Sequence, residues 1–237
     1  SLTQFGDTGT VPGGTAGEFL QAVTALKISG ADSGAVILDM RGNPGGLLDQ
    51  SIEVARAMLS AGDTVIRTHF REYSENVDVP LFGDSLYRAT IDGMANKLKI
   101  IVLVDEYTAS AAELVTAALK ESRPEVVVMG QTTYGKARGQ VLVSLPQGAL
   151  GKITSLALKS PRGIDYNEIG LTPEIAIASN ADWLAAAQSQ AISMLAKRIV
   201  GGISNTRQNA IEINRRMTTP HWRGPRPFFK PLPSSTP

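Results

Sequence analysis

A layered α/β architecture around a largely parallel sheet is what this sequence predicts, and three observations predict it. AVILDM from Ala35, KIIVLV from Lys99 and the run Glu125–Met129 are short and unbrokenly apolar, as strands buried on both faces must be. Between them lie stretches whose apolar residues recur at three- and four-residue spacing, the mark of helices with one buried face. The two kinds of segment alternate along the chain, the order that lays helices over a parallel sheet.

Residues 6–14, GDTGTVPGG, form a turn-rich entry loop. Thr15 is the expected N-cap of a helix from Ala16 to Ile28, with Phe19, Leu20, Val23 and Leu26 at helical spacing. After the strand at Ala35 comes the tight turn RGNPGG, then a helix from Leu47 to Leu59 with Leu48, Ile52, Ala55 and Leu59 on one face. Thr64–Phe70 has strand character, and residues 71–97 read as two irregular strands around Pro80 and Gly83. Thr108 is placed to cap a helix from Ser110 to Lys120. Gln140–Leu145 and Lys152–Leu158 pair as a hairpin around Gly148. Asp182–Val200 is a long helix, and Ser204–Met217 a second with Ser204 as its cap. Two regions result: a core at 1–200, and a segment at 201–237 that is helical and then basic, Pro-rich and extended.

The 237 residues carry a net charge of +1, so no overall field draws the chain to nucleic acid or to a membrane surface. Residues 201–237 hold +5 of that balance, leaving −4 on the rest. With no cysteine, disulfides, thiolate metal sites and a cysteine nucleophile are excluded. No apolar run approaches the ~18 residues of a membrane span. No HExxH pattern or spaced carboxylate–histidine cluster suggests a metal, and no cofactor is expected.

Three segments carry the chemistry. Ser110 follows a buried strand and opens a helix, where free backbone N–H groups favour an oxyanion; by itself it reads as an ordinary helix cap. Lys136 lies in GQTTYGKARGQ, between two glycines, where a lysine is usually a solvated charge. It becomes a base only if a desolvated amine meets a hydroxyl. DMRGNPGG ends on two glycines, which let backbone approach a reacting group, although a plain strand-to-helix turn would use them too.

Taken together, NPGG at 43–46, ASAAE at 109–113, YGK at 134–136 with Gln140, and KITSLALKSPRG followed by IGLTPEI resemble, in that order, the motifs of the C-terminal processing peptidases, or tail-specific proteases. The resemblance covers residues 15–178. It implies a fold of the ClpP/crotonase type and a serine endopeptidase cutting near protein C-termini through a Ser-Lys dyad. Ser110 would be the nucleophile, Lys136 its general base and Gln140 the group orienting the amine. The backbone N–H of Ala111 and of Gly45 or Gly46 would form the oxyanion hole, and Tyr134, Leu142 and residues 126–129 an apolar wall beside the lysine. Implied partners are protein or peptide substrates, with no nucleic acid and no stable membrane insertion, and the implied location is extracytoplasmic, in a bacterial periplasm or thylakoid lumen. The chain departs from the family in carrying Ala112 where a second serine is usual, in a slightly longer stretch around Arg123-Pro124, and in lacking a recognisable PDZ domain.

Three other readings compete. A Ser-His-Asp arrangement would need His69, in a strand, or His221, in the tail, beside Ser110, and no Gly-x-Ser-x-Gly elbow is present. A non-catalytic binding or scaffold module of the same fold is the main alternative. Crotonase-like acyl-CoA chemistry would require a nucleotide-binding surface that the sequence does not display.

Overall fold

Described by a computed structural model at residues 1–7, 13–29, 34–70 and 84–202, the chain runs α1 (Gly14–Ile28), β1 (Ala35–Asp39), α2 (Leu48–Arg56), β2 (Thr64–Phe70), β3 (Ser85–Arg88), β4 (Lys99–Val104), α3 (Ala111–Ser122), β5 (Val127–Gly130), β6 (Arg138–Ser144), β7 (Leu150–Lys159), β8 (Ile175–Ala176) and α4 (Trp183–Gly202). It forms two units, Ser1–Leu195 and Ala196–Pro237; of the second, only the end of α4 is described. Of residues 71–97, read as two irregular strands around Pro80 and Gly83, 71–83 lie outside the described residues and 84–97 hold one strand, β3; the helix at Ser204–Met217 and the Pro-rich tail lie outside them too.

The unbroken apolar runs become a parallel four-stranded sheet in the order β1-β4-β5-β8. Alternation of side chains explains why β4 tolerates no polar residue after Lys99. Ile100, Val102 and Val104 enter the main core with α2 and α3, whereas Ile101 and Leu103 face a second cluster containing Met129, Ile177, Trp183 and Ala187. β1 pairs in register with β4 from Ala35–Lys99 to Asp39–Leu103, so both strands deliver their C-terminal turns to the same edge. β5 ends beside them, with Val104 opposite Gly130.

A second sheet, antiparallel and ordered β3-β2-β7-β6, stands beside the first. The β6–β7 hairpin supplies most of it, with a register shift at Gly139/Gln140. At Gly139 the strand packs closely on β7: a Cβ would lie 2.8 Å from the Leu156 side chain. Between the sheets runs α3, buried without interruption from Ala111 to Leu119; its four alanines keep it slim enough for the centre of the molecule.

Two predicted caps are displaced. Gly13, not Thr15, is the N-cap of α1, in the left-handed conformation that glycine favours. The Thr15 hydroxyl instead accepts the Gly6 N–H at 3.0 Å, tying the helix to the N-terminal segment. Ser110, not Thr108, occupies the N-cap position of α3; the buried Thr108 hydroxyl accepts the Asp105 N–H at 2.9 Å and donates toward Met40 O at 3.0 Å.

Arg123, at the C-cap of α3, is 4% exposed and collects the carbonyls of Met58 (2.8 Å) and Leu98 (2.8 Å), with Ala95 at 3.3 Å and a two-nitrogen contact to Glu125. With five N–H donors, a guanidinium can close three loop carbonyls and still bind a carboxylate. Arg123→Ala strands those acceptors and the Glu125 carboxylate, and is expected to cost about 3 kcal/mol of unfolding free energy, read from urea denaturation.

Candidate active site

Three turns meet at the C-terminal edge of the parallel sheet. The first leaves β1. Asp39 takes two bonds from the Arg41 guanidinium, Nε to Oδ1 at 2.8 Å and Nη2 to Oδ2 at 2.7 Å. Asn43 is wholly buried: its amide nitrogen donates to Leu2 O (2.7 Å), its Oδ1 accepts the Gly45 N–H (2.9 Å), and its carbonyl accepts the Ala109 N–H (2.9 Å). That last bond docks the NPGG turn against the start of α3. Gly45 has φ +100°, and a Cβ there would stand 2.8 Å from Ala109 O, Ala111 N and Ser110 Cβ. No other residue lets the two turns touch.

The second turn leaves β4 and carries Ser110 at φ 57°, ψ −116°. For a residue with a Cβ this is outside the left-handed basin and costs on the order of 1–3 kcal/mol. Its N–H donates to Glu113 Oε2 at 2.9 Å, and its carbonyl starts the helix by accepting the Leu114 N–H at 3.0 Å. As the first helical residue, Ala111 has an N–H that no helical carbonyl can take.

The third turn leaves β5 and carries Lys136. Glu113, 0% exposed, receives this turn as well. Its Oε1 accepts the Thr133 hydroxyl and the Gly135 N–H (2.7 Å), and its Oε2 accepts the Lys136 N–H (2.8 Å). One carboxylate oxygen thus holds the backbone of both Ser110 and Lys136. Lys136 is half-buried, and its amine meets no hydrogen-bonding or ion-pair partner among the described residues.

The predicted site residues divide as follows. Ser110, Ala111, Gly45 and Lys136 are brought together by the contacts above. Gly46 is exposed beside them; its close neighbour is Phe5, whose carbonyl would be 1.8 Å from an added Cβ. Gln140 lies on β6 opposite Thr154, whose hydroxyl takes its amide nitrogen at 3.3 Å; no bond joins it to Lys136. Tyr134 is not part of an apolar wall: its ring is 64% exposed, while its N–H donates to Thr108 O at 3.0 Å. His69 is exposed and pairs with Asp84 on the antiparallel sheet. The structural roles of Glu113 and Asn43 were missed. The Ser-x-x-Glu spacing signalled a carboxylate at the helix start, but nothing local announced the donors that arrive some twenty residues later.

This arrangement, a strained serine at a helix N-terminus with a lysine turn and a double-glycine turn against it, agrees with comparison to known proteins. The sequence profile of Peptidase family S41 matches residues 1–177. The chain belongs to Peptidase family S41. Among S41 relatives, it is 31% identical over 155 residues to the chloroplastic C-terminal processing peptidase of Tetradesmus obliquus, covering 65% of this chain and 31% of that protein. It is 31% identical over 174 residues to the carboxy-terminal processing protease CtpA of Bacillus subtilis, covering 73% of this chain and 33% of that protein. The solved photosystem II D1 C-terminal processing protease superposes with a TM-score of 0.59 at 29% identity, over 75% of this chain and 41% of that one. The chain spans about a third of the length of these curated S41 relatives.

Tyr166 is 2% exposed, and its hydroxyl has no hydrogen-bond partner among the described residues. Burial, with a smaller contribution from the Glu113 charge, pushes its phenol far above the usual range. Tyr166→Phe removes a desolvated, unpaired hydroxyl and keeps the ring, so it is expected to raise stability by up to about 1 kcal/mol, seen as a higher melting temperature.

Arg41 and Arg138 hold the carboxyls of Asp39 and Asp165 below the usual carboxylate range; burial alone would raise that of Glu125, but Arg123 outweighs it and lowers it too. A lowered folded value means stability that is fully present above the ordinary carboxylate range, about pH 4, and lost as pH falls through the lowered values. Urea midpoints are expected to hold down to about pH 4 and to fall progressively below it.

Proposed function

We propose that this chain carries the catalytic core of a serine endopeptidase that cleaves protein substrates near their C-termini, with Ser110 as nucleophile and Lys136 as general base. The observation that carries the reading is the shared Glu113 oxygen, which ties the backbones of both residues to one point. An amine meant to accept a proton must not be held as an ammonium by a carboxylate, and Lys136 has no such partner among the described residues. Gln140 is assigned to orient that amine through its amide oxygen, since Thr154 already occupies its amide nitrogen.

In the proposed reaction Ser110 Oγ attacks the scissile carbonyl and passes its proton to the lysine amine. The oxyanion is met by the Ala111 N–H at the positive end of α3 and by the Gly46 N–H. Gly46 is preferred to Gly45 because the Gly45 N–H is already spent on Asn43. Collapse of the intermediate returns the proton to the leaving amine, and water, deprotonated by the same lysine, releases the acyl group. Cleavage near a C-terminus and an extracytoplasmic location are proposed by analogy with the relatives, which are C-terminal processing proteases, one of them chloroplastic. Among the described residues, no helix is long and apolar enough to cross a membrane.

Labelling with a fluorophosphonate and cleavage of fluorescent, unfolded casein test the assignment. Ser110→Ala is expected to lose both with its circular dichroism intact. Lys136→Arg keeps the charge but cannot give up its proton, so turnover should fall by about a thousandfold or more. Substantial cleavage by a well-folded Lys136→Arg protein would remove lysine from the mechanism.

A further inference from the structure

Lys136 sits in a turn whose other side is built by residues 160–171, a segment between β7 and β8 that the reaction above does not use. Resting on the Ser-Lys reading, we propose that this segment is the seat of the general base and that Asn167 is its positioning residue, acting through the backbone next to the lysine.

Residues 160–171 reach the lysine turn at four places. Asn167 Oδ1 accepts the Ala137 N–H at 3.1 Å, immediately after Lys136. The Glu168 N–H donates to Gly135 O at 2.7 Å, immediately before it. Further back, the Thr133 N–H donates to Leu171 O at 3.2 Å and the Leu171 N–H to the Thr133 hydroxyl at 2.8 Å. The approach is too close for side chains: a Cβ on Gly135 would lie 2.8 Å from Gly170 N, and one on Gly170 would lie 2.2 Å from Thr133 O. Glu168 adopts φ +63°, an unfavourable value for a residue with a Cβ, at the point where its N–H meets Gly135. Strain of this kind persists only where surrounding contacts impose it.

Asn167 is itself fixed. Its N–H donates to Asp165 Oδ1 at 3.0 Å, and Asp165 receives Arg138 Nη2 at 2.9 Å and Nη1 at 3.2 Å. Arg138 Nη1 also donates to Ala137 O at 2.9 Å, so Ala137, Arg138, Asp165 and Asn167 form a closed ring beside Lys136. The start of the segment is tied to β2 and α3: Arg67 Nε donates to Pro161 O at 2.8 Å, and the Arg162 N–H donates to Glu121 at 2.7 Å. Glu113 fixes the N–H of Gly135 and Lys136 from the helix side; Asn167 and Glu168 fix the residues on either side of the lysine from the opposite side. Held from one side only, the turn could swing about Glu113 and carry the amine off the serine. A displacement near 1 Å at a reacting group can cost about a hundredfold in rate.

The test uses the full chain, unfolded fluorescent casein and the fluorophosphonate, with Asn167→Ala, Asn167→Asp, Arg138→Gln and Lys136→Ala. Asn167→Ala removes the acceptor and is expected to lower kcat by about tenfold or more, leave KM within about twofold, and slow serine labelling in step. Asn167→Asp keeps the acceptor oxygen but replaces the amide that donates to Glu168 Oε1 at 3.4 Å with a charge, and is expected to recover only part of the kcat loss. Arg138→Gln, an exposed change that opens the ring at its outer end, gives the same kcat-only loss in milder form even if Asn167→Ala fails to fold. Wild-type kcat in either Asn167→Ala or Arg138→Gln, with the variant well folded, overturns the proposal, as does a loss confined to KM. Lys136→Ala separates the two readings: persistent cleavage there means the Ser-Lys assignment has failed, whereas a dead Lys136→Ala beside a fully active Asn167→Ala means that only the seat has.

Discussion

Everything at the C-terminal edge of the parallel sheet depends on the satisfaction of one buried carboxylate. Glu113 lies within the central helix at 0% exposure, and a carboxylate there is tolerable only if its oxygens are filled with donors. Ser110, Thr133, Gly135 and Lys136 fill them. The helix cannot bury its face against the core without burying Glu113, and Glu113 cannot be buried without drawing in the turn after β5. The geometry of serine and lysine is thus enforced by the same term that lets the core close, rather than by weak surface contacts of the two side chains. Removing one donor leaves the carboxylate under-satisfied, so the arrangement resists small distortions more strongly than an exposed ion pair would.

The double-glycine turn is fixed by a different device. Residues Leu2 to Phe5 run along it as a short parallel ribbon: the Leu2 N–H reaches Asp39 O at 2.8 Å, the Phe5 N–H reaches Gly45 O at 2.9 Å, and the Leu47 N–H reaches Phe5 O at 2.8 Å. The buried Phe5 side chain pins the ribbon to the core. Asn43 then joins ribbon, turn and serine helix through one side chain and one carbonyl. Because the bridge at Gly46 uses the atoms of its neighbours, its own N–H points away from Phe5.

The strands of the parallel sheet were legible because burial on both faces leaves a simple mark, an unbroken apolar run; Lys99–Val104 is bounded in the structure as in the sequence. The antiparallel sheet was less legible as a unit, since β2 and β7 pair across almost ninety positions and only the β6–β7 hairpin is local. Thr15 and Thr108 read as caps because threonine commonly is one; each was drawn away by a tertiary partner, Gly6 and Met40, that no local pattern contains. Ser110 and Lys136 stood out through motif order. What places them, the Glu113 cage and the 160–171 segment, rests on bonds spanning up to about forty residues, and spacing alone carries no trace of such bonds.

The Glu113 cage also bears on when the molecule becomes competent. A chain made from its N-terminus presents the serine first, then the lysine, and the segment that braces the lysine last. Until residues 133–136 reach Glu113, the carboxylate is better hydrated than buried, and α3 has no incentive to close over it. A partly made chain therefore exposes a hydroxyl and an amine that are not yet neighbours. On the proposed reading, serine and lysine become neighbours only when the last donors dock on Glu113.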